Sequence, residues 1–500
     1  MKATIQGNFI TITECTSYEY DCVVKSFTRE HEGYKYVKNR GGWDGKICYV
    51  YGSKIPCGLY AMLGEVAGEC GFPLELTGTE TMLDEGIDRD EFNAWCEEFF
   101  AESEMKPRDY QIESAYRILR NKRCLSELAT SAGKTLICFM VIAYVLAKRK
   151  ATKVLMIVPT IQLIDQSAKD FETYNDGRIS VTVNRVGGGN KTTEGCEITV
   201  GTFQSLTKWD AEKLAEFDCV IVDECHRAKS KSIKTILERC VNCDYRFGVS
   251  GTLPAKKSLD FLTLLAYIGP VVTEVKAKEL QDRGFISNCK IVQLRVDYTD
   301  EETKDIIHNA HKECMRMGES TKSFNLEKNF VIENAKRLRF VTDLLMHTTK
   351  NTLVLFQHLA YGKLIYNTLR DVNTGKRIYY IDGSTPKDTR NTYTANMDLH
   401  DNVILVASFQ VLSTGVSVNH IYNVVFTESY RSPNIIIQSI GRSLRLKSKD
   451  NPELNHATII DIVDDFRVGK HMNYMYRHGM DRVRGYKAQK YPYEIKYVKL

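Results

Sequence analysis

The sequence predicts an α/β fold in which two tandem parallel-sheet domains follow a small N-terminal α/β domain. Apolar segments that alternate with helix-like segments support this prediction. They occur in two sets, residues 154–158, 219–222 and 247–250, then residues 353–356, 403–407, 424–426 and 458–461. Continuous apolar strands of this kind are buried on both faces, as in parallel sheets covered by helices. Residues 1–102 differ, because glycines interrupt their short β-like segments and an acidic amphipathic stretch follows.

These patterns divide the chain into five predicted segments. They are a small accessory or DNA-binding α/β domain at residues 1–102, a first parallel-sheet domain at 103–276, a linker at 277–296, a second parallel-sheet domain at 297–470 and a basic tail at 471–500. A polar region at residues 300–347, which we expect to be helical, precedes the second set of strands.

The composition is that of a globular protein, with 43% hydrophobic and 26% charged residues. No run approaches the roughly 18 apolar residues that would span a bilayer, so we expect no membrane partner. The N-terminus lacks the pattern of a signal peptide, which predicts a cytoplasmic protein. The 15 cysteines are scattered among apolar residues, as expected in a reducing compartment. Cys240 and Cys243 have metal-ligand spacing without a second pair, which favours structural thiols.

The formal net charge of +5 is too small to indicate a nucleic-acid partner by itself. Its distribution is more informative, because acidic residues dominate residues 65–102 and basic residues dominate from Arg431 onward. Tyrosines are interleaved with the basic residues near the C-terminus. This pattern suits a phosphate-backbone partner, and the alternative is a solvated charged face.

A strand-like segment at residues 124–128 leads through residues 129–133 into a long helix-like segment that ends at Ala147. A strand, loop and helix in this order predict a phosphate-binding loop, because loop amides and the helix N-terminus attract phosphates. Lys134 would reach the β- and γ-phosphates of ATP, and the Thr135 hydroxyl would be a Mg²⁺ ligand. Leu128 occupies the first glycine position of the usual motif, so a chance match is the alternative.

Asp223 and Glu224 end a second apolar strand, at the sheet edge where ligands collect in open α/β folds. Asp223 would hold Mg²⁺ through water, and Glu224 would orient the attacking water. The alternative is that the two carboxylates cap a helix and that His226 is an ordinary surface histidine.

The order of these motifs along the chain resembles that of the superfamily 2 helicases. Further matches are Ser250-Gly251-Thr252 and the sequence QxxGRxxR that runs from Gln438 to Arg445. The resemblance implies two RecA-like motor domains. The QxxGRxxR spacing puts Arg442 and Arg445 on one helical face, from which two guanidiniums could enter the ATP site and stabilise transition-state charge. Taken alone, the pattern of this helix favours a basic surface stripe or a phosphate contact.

The same resemblance predicts the residues of each site. The nucleotide site comprises Arg108, Tyr110, Gln111, Leu128, Ala129, Thr130, Ser131, Ala132, Gly133, Lys134, Thr135, Gly415 and Gln438, with Gln111 as the candidate reader of adenine. The nucleic-acid contacts are Pro159, Thr160, Gly187, Gly188, Thr202, Gln204, His358 and Thr414. The residues that couple the two sites are His226, Ser250 and Thr252, although Ser250 and Thr252 could equally be strand-end hydroxyls that bond the backbone. The chain departs from the usual motifs at Ser131, Ala129 and Gly251.

A closer resemblance is to the UvsW-like phage DNA helicases. It rests on residues 41–46, on Gly187 to Gly189 and on the sequence His478-Gly479-Met480-Asp481-Arg482, and it extends along essentially the whole chain. It implies remodelling of branched DNA, including fork reversal, Holliday-junction migration and R-loop unwinding, in the cytoplasm of a phage host. The implied partners are branched, forked or single-stranded DNA and RNA–DNA hybrids, and no protein partner is identified.

Two alternatives remain at this point. An RNA helicase would use the same motor motifs, because both nucleic acids are gripped by the backbone and the 2′-hydroxyl discriminates them. A nucleic-acid-binding regulator with an inactive motor belongs to another class, and the presence of Lys134, Thr135, Asp223, Glu224, Arg442 and Arg445 argues against it. A restriction-type motor subunit is disfavoured because the sequence carries no recognisable nuclease motif.

Overall fold

The structure is a computed structural model. It describes residues 1–31, 44–148, 150–188, 195–227, 230–299, 301–317, 320–372, 375–413, 420–430, 436, 439–441, 444–445, 451–468 and 472–500. The chain divides into two compact units, Met1–Val275 and Lys276–Leu500.

The first unit contains an N-terminal mixed sheet, a small hairpin and a large parallel sheet. Its strands are β1 (Lys2–Gln6), β2 (Phe9–Glu14), β3 (Thr28–Glu30), β4 (Lys46–Cys48), β5 (Lys54–Pro56), β6 (Glu75–Thr77), β7 (Arg123–Leu128), β8 (Val154–Val158), β9 (Val183–Val186), β10 (Ile198–Thr202), β11 (Cys219–Asp223), β12 (Tyr245–Ser250) and β13 (Val271–Val275). Its α-helices are Ser17–Ser26, Tyr60–Cys70, Arg89–Phe99, Asp109–Arg120, Lys134–Ala147, Ile161–Asn175, Phe203–Leu206, Ala211–Leu214, Ser230–Arg239 and Leu259–Tyr267.

The N-terminal sheet has the strand order β5-β2-β1-β6, with β1 antiparallel to β2 and parallel to β6. Alternate residues of β1, Ala3 and Ile5, point into the core, as period-2 patterning requires. The first helix begins with a capping box in which Thr16 and Glu19 satisfy each other's backbone N–H groups. Glu19 also accepts a hydrogen bond from the N-terminal ammonium at 3.0 Å, which ties the start of β1 to this helix.

The large sheet of the first unit has the order β13-β7-β12-β11-β8-β10-β9, and every neighbouring pair is parallel. Its central strands are buried on both faces, which confirms the prediction from their continuous apolar sequence. The helix Lys134–Ala147 is buried along nearly its whole length, from Leu136 to Val145, because it lies between the sheet and the aromatic helix Arg89–Phe99, where Tyr144 meets Phe92.

The N-terminal sheet and the large sheet share one hydrophobic core that extends from Met1 to Ile268. Polar contacts reinforce this junction, since Asn8 Oδ1 accepts hydrogen bonds from the buried guanidiniums of Arg123 at 2.6 Å and Arg246 at 3.1 Å. Residues 1–102 therefore carry their own sheet, but they are built into the first unit. The predicted domain boundaries themselves stay a prediction.

The second unit is a single parallel sheet with helices. Its strands are β14 (Asn288–Asp297), β15 (Thr352–Phe356), β16 (Arg377–Ile381), β17 (Val403–Ser408), β18 (Asn423–Phe426), β19 (His456–Asp465) and β20 (Tyr493–Lys499). Its α-helices are Ala277–Asp282, Glu301–Arg316, Ser320–Glu333, Ala335–Met346, Leu359–Asp371, Lys387–Leu399, Phe409–Ser413 and Tyr474–Ala488. The three helices between residues 301 and 346 confirm the predicted helical region.

The sheet order is β16-β17-β15-β18-β19-β14-β20. The segment predicted as a linker, residues 277–296, is not a bare connection, because it holds a helix and most of β14, which pairs with β19 along ten residues. The predicted tail, residues 471–500, likewise holds a helix and β20, which is parallel to β14. The sequence pattern did not identify β20 because it is an edge strand with a half-exposed sequence that contains several lysines and tyrosines.

Two further findings concern the described residues. None of their helices has the length and apolarity needed to cross a membrane. Cys240 and Cys243 are buried free thiols, and within the described ranges no group of three potential metal-ligating side chains forms around them.

Candidate functional site

The carboxyl ends of β7, β12 and β11 lie side by side in the large sheet of the first unit, since β12 pairs with both of the others. The loop at residues 129–133 follows β7, Gly251-Thr252 follows β12, and Glu224 follows β11. The sheet therefore brings together the predicted phosphate loop and the predicted carboxylates, which are far apart in the sequence.

The phosphate loop has a backbone that only some residues adopt without strain. Ser131 has φ 71° and Gly133 has φ 78°, both in the left-handed region. The Ala129 N–H donates to Val275 O at 2.9 Å, and the Ala132 N–H donates to Ala129 O at 3.0 Å. Leu128 and Ala132 are fully buried. Within the predicted nucleotide site, the side chains of Leu128 and Ala132 thus shape the loop from inside rather than reach its surface.

Gln111 and Tyr110 support this loop from the helix Asp109–Arg120. Gln111 Nε2 donates to Ala132 O at 2.9 Å and the Tyr110 hydroxyl donates to the same oxygen at 3.0 Å. Gln111 Oε1 accepts the Arg108 N–H at 2.8 Å. A Cβ on Gly133 would lie 2.2 Å from Gln111 Nε2, so this position requires glycine. Sequence reasoning predicted adenine recognition at Gln111 and missed that its amide fixes the loop.

We expect Ser131→Gly to stabilise the protein by about 1 kcal/mol relative to Ser131→Ala. Both variants remove the hydroxyl, but only glycine adopts a left-handed φ without a steric penalty, which exceeds the extra unfolded-state entropy of glycine. Chemical denaturation of the nucleotide-free proteins measures the difference. Equal denaturation midpoints for Ser131→Gly and Ser131→Ala would show that the left-handed backbone at residue 131 is not strained.

The charged residues of the site are largely shielded from solvent and form one cluster, with the side chains of Lys134 and Glu224 13% and 19% exposed. Lys134 Nζ lies 3.2 Å from Glu224 Oε1, and the Glu224 N–H donates to Asp223 Oδ1 at 2.9 Å. Burial and the neighbouring Glu224 raise the pKa of Asp223 to about 7, against the lowering effect of Lys134. Burial alone would raise the pKa of Glu224, but Lys134 and His226 hold it below its usual value.

This cluster suits a nucleotide and a divalent cation. Two carboxylates face one lysine, so a further positive charge is favourable there. Glu224 Oε2 lies 3.4 Å from His226 Nδ1, and among the described residues none donates a hydrogen bond to it. A Cβ on Gly251 would lie 3.1 Å from Thr130 Oγ1 and 3.4 Å from Lys134 Nζ. Gly251 therefore keeps the space above the loop open.

His226, Ser250 and Thr252 form a hydrogen-bonded series beside Glu224. His226 Nδ1 lies 2.7 Å from Ser250 Oγ, and Ser250 Oγ donates to Thr252 O at 2.6 Å. Burial lowers the pKa of His226, which favours the neutral ring. Because the Ser250 proton is used toward Thr252, His226 Nδ1 carries the proton of their shared bond. The structure thus brings His226, Ser250 and Thr252 together. The bond from Ser250 Oγ to Thr252 O is also the backbone contact that the alternative, a strand-end hydroxyl, predicts.

The predicted nucleic-acid contacts of the first unit follow β8, β10 and β9, which are consecutive neighbours in the other half of the same sheet. Pro159 and Thr160 follow β8, Gly187 and Gly188 follow β9, and Thr202 ends β10. Thr202 is buried and caps the next turn of helix by accepting the Ser205 N–H, whereas Gln204 is exposed. The side chain of Thr202 is thus used to cap this helical turn.

In the second unit, His358 precedes the helix Leu359–Asp371 and its Nδ1 contacts the buried carboxylate of Glu428. Arg445 is partly buried, and its carbonyl accepts the Ser287 hydroxyl at 2.7 Å. Sequence reasoning missed Glu428, which no motif contains. Several predicted residues lie outside the described residues: Thr414, Gly415, Gln438 and Arg442, together with Gly41, Gly42, Trp43 and Gly189 of the closer resemblance.

Comparisons with known proteins agree with this geometry. Residues 104–255 match the family described as the res subunit of type III restriction enzymes, and residues 336–447 match the helicase conserved C-terminal domain. The chain is 29% identical to the ATP-dependent DNA helicase uvsW of Enterobacteria phage T4 over 95% of this chain and 94% of that protein. It is 27% identical to the DNA 3'-5' translocase XPB2 of Sulfurisphaera tokodaii over 73% of this chain and 83% of that protein.

A structural comparison extends the similarity. The crystal structure of T4 UvsW superposes with a TM-score of 0.51 and 26% identity, covering 100% of this chain and 99% of that chain. The match includes the N-terminal sheet as well as both large sheets. The chain belongs to the superfamily 2 helicases.

Proposed function

We propose that this protein is an ATP-dependent DNA helicase that remodels branched DNA during recombination, replication and repair. The observation that carries the proposal is the convergence of Lys134, Asp223 and Glu224 on a phosphate loop at the carboxyl edge of a parallel sheet. The same edge presents the predicted nucleic-acid contacts after the neighbouring strands. Because the relative that matches over nearly the whole chain is a phage protein, we place this activity in the cytoplasm of an infected host.

The ATP chemistry follows from the cluster. The ammonium of Lys134 neutralises phosphate charge, and Glu224 orients and polarises the attacking water. Thr135 and Asp223 would hold Mg²⁺, which supplies further charge neutralisation to the phosphates when bound. In the structure Lys134 Nζ lies 3.2 Å from Glu224 Oε1. ATP would compete for that ammonium and release Glu224 for its role toward water.

The second unit would contribute Arg442 and Arg445. Guanidiniums are permanently charged and present paired donors to phosphate oxygens, as arginine fingers do. Supplying them from a different unit makes hydrolysis depend on how the two units are arranged. That dependence is what a motor needs to convert hydrolysis into movement along a strand.

The nucleic-acid contacts would be made mainly to phosphates, which gives a grip that is largely independent of sequence. The two similar proteins described above carry DNA activities in their names. A likeness to yeast Dbp5 bound to RNA, at 14% identity and a TM-score of 0.54, reflects the fold alone. DNA is therefore the favoured substrate over RNA, and forked or four-way DNA over a simple duplex.

The test compares ATPase rates and strand separation on single-stranded DNA, forked DNA, a four-way junction, an RNA–DNA hybrid and duplex RNA. We expect ATP hydrolysis to be stimulated by DNA and strand separation to be fastest on forked or four-way DNA. Faster separation of duplex RNA than of every DNA substrate would overturn the proposal in favour of an RNA helicase.

Glu224→Gln is the matched control for that experiment, because it keeps the size of the side chain and removes the carboxylate that orients water. This variant should bind the same substrates and leave them unseparated. Strand separation that persists in Glu224→Gln would come from a contaminant or from passive strand capture.

A further inference from the structure

Residues 427–430, which directly follow β18, are held by three side chains from two helices, Ala335–Met346 and Tyr474–Ala488. Arg337 Nη2 donates to Thr427 O at 2.8 Å. On the next residues, His478 Nδ1 lies 3.0 Å from Ser429 Oγ, and Arg482 Nη1 donates to Tyr430 O at 3.2 Å. This short segment, here called the β18 exit, is thus held by side-chain contacts at Thr427, Ser429 and Tyr430.

Glu428 lies within the β18 exit and is buried, with 4% of the residue exposed. Its Oε2 accepts the backbone N–H of Gln357 at 2.5 Å and that of His358 at 3.1 Å. Its Oε1 contacts His358 Nδ1. All of these donors belong to the loop after β15, the strand that pairs with β18. The Glu428 carboxylate therefore holds the loop that carries His358, the predicted DNA contact.

The contact with His358 fixes the state of its ring. An ionised carboxylate only accepts hydrogen bonds, so the proton of the shared bond resides on His358 Nδ1. Nε2 is then the ring nitrogen left to meet a ligand, and the rotation of the ring is set by Glu428. The side chain of His358 is 27% exposed, so the ring is partly accessible although its partner is buried.

The other side of the β18 exit is braced by the helix Tyr474–Ala488. Arg482 is fully buried, and its Nε donates to both oxygens of Asp461 in β19, at 2.9 and 3.1 Å. Gly479 allows this helix to approach β19, since a Cβ there would lie 2.7 Å from Val463 Cγ1. The sequence from His478 to Arg482 thus has a structural explanation: it anchors Ser429 and Tyr430, and with them Glu428.

We propose that Glu428 is a positioning residue for DNA-stimulated ATP hydrolysis. It holds the Gln357-His358 loop in the form that contacts the DNA backbone, and the brace from Arg482 and His478 keeps Glu428 in place. The inference rests on the proposed function, because it deepens the role of His358. Along the chain the QxxGRxxR sequence, which contains the predicted catalytic Arg442 and Arg445, follows the β18 exit.

The experiment uses the full-length protein and measures three quantities: the ATPase rate without DNA, the rate at saturating single-stranded DNA, and the DNA concentration for half-maximal stimulation. Glu428→Ala leaves two backbone N–H groups and the His358 ring without their acceptor. We expect the half-maximal DNA concentration to rise about tenfold, while the DNA-free rate stays unchanged and the saturated rate stays within about twofold.

Glu428→Gln provides a second readout that a purely structural role would not change. Its amide oxygen can still accept the two backbone N–H groups, but its NH₂ group faces His358 Nδ1. The ring must then move its proton to Nε2, which ¹⁵N chemical shifts of labelled histidine detect. We expect this tautomer change together with a smaller rise, about threefold, in the half-maximal DNA concentration.

Asp398→Asn is the matched control, because Asp398 also pairs with a histidine ring in the same unit, His420 at 3.3 Å, and also accepts the backbone N–H of that histidine. It should leave all three quantities unchanged. An unchanged half-maximal concentration in both Glu428 variants, or an equal rise in Asp398→Asn, would overturn the proposal. If Glu428→Ala does not fold, the Glu428→Gln comparison decides alone. Absence of DNA stimulation in the unmodified protein would instead refute the proposed function, and an unshifted His358 tautomer in Glu428→Gln would still refute the positioning role.

Discussion

Lys134→Ala is expected to lower the ATPase rate of this protein at least roughly 1000-fold, because the variant removes the ammonium at the start of the helix that follows the phosphate loop. Lys134 Nζ lies 3.2 Å from Glu224 Oε1, and its charge has a lowering effect on the pKa of both Asp223 and Glu224. Alanine removes the positive charge that both attracts the phosphates and offsets Asp223 and Glu224. The measurement is steady-state ATP hydrolysis with and without single-stranded DNA.

The same variant has a second expected effect, on stability without nucleotide. Glu224 would remain buried with its main counter-charge removed, which costs on the order of 3 kcal/mol unless the carboxyl takes up a proton. Lys148→Ala is the matched control, because Lys148 ends the helix that Lys134 begins and pairs with Glu91 on the surface at 2.6 Å. It should keep full activity. If Lys134→Ala hydrolysed ATP at the rate of the unmodified protein, the assignment of residues 129–133 as the ATP phosphate loop would be wrong.

The parts of the site that follow strand ends were predictable from the sequence. A buried strand, a glycine-containing loop and a helix are all local features, and Asp223 and Glu224 stand at the end of an apolar run that one sequence window reveals. Parallel strands bring their carboxyl ends to one edge, so the convergence of Lys134 with Glu224 followed from general rules. The structure confirms that convergence within the first unit.

Features that depend on contacts between distant segments were not predictable in this way. Glu428 belongs to no motif, and its value comes from the pairing of β15 with β18. Gln111 was predicted to read adenine, but the tertiary contact with Ala132 O gives its amide another role. The sequence pattern predicts a basic tail where the structure has β20. This strand lies at a sheet edge, and because its lysines and tyrosines are partly exposed, the alternation of apolar and polar residues is weak.

Arg337→Met is expected to destabilise the second unit by about 4 kcal/mol. Arg337 is fully buried, and its Nε and Nη2 lie 2.6 and 2.9 Å from the two oxygens of Asp464. Methionine fills much of the volume but leaves Asp464 as a buried charge, to which, within the described part of the chain, the Tyr298 hydroxyl still donates at 2.8 Å. It also leaves Thr427 O without the guanidinium that holds the β18 exit. Thermal and chemical unfolding, followed as the transition of the second unit, measure the loss.

Two comparisons separate the lost pair from lost packing. Arg339→Met changes an exposed arginine on the same helix and should shift the unfolding free energy by less than about 0.5 kcal/mol. Arg337→Met combined with Asp464→Leu removes both charges, and such apolar replacement of a buried ion pair is often neutral, so most of the stability should return. If Arg337→Met alone cost under about 1 kcal/mol, the buried pair would contribute little to folding. Because the same guanidinium donates to Thr427 O, the double variant should recover stability but should still need more DNA than the unmodified protein for half-maximal ATPase stimulation. That result would place the DNA response of the motor in the geometry of the β18 exit rather than in the overall stability of the unit.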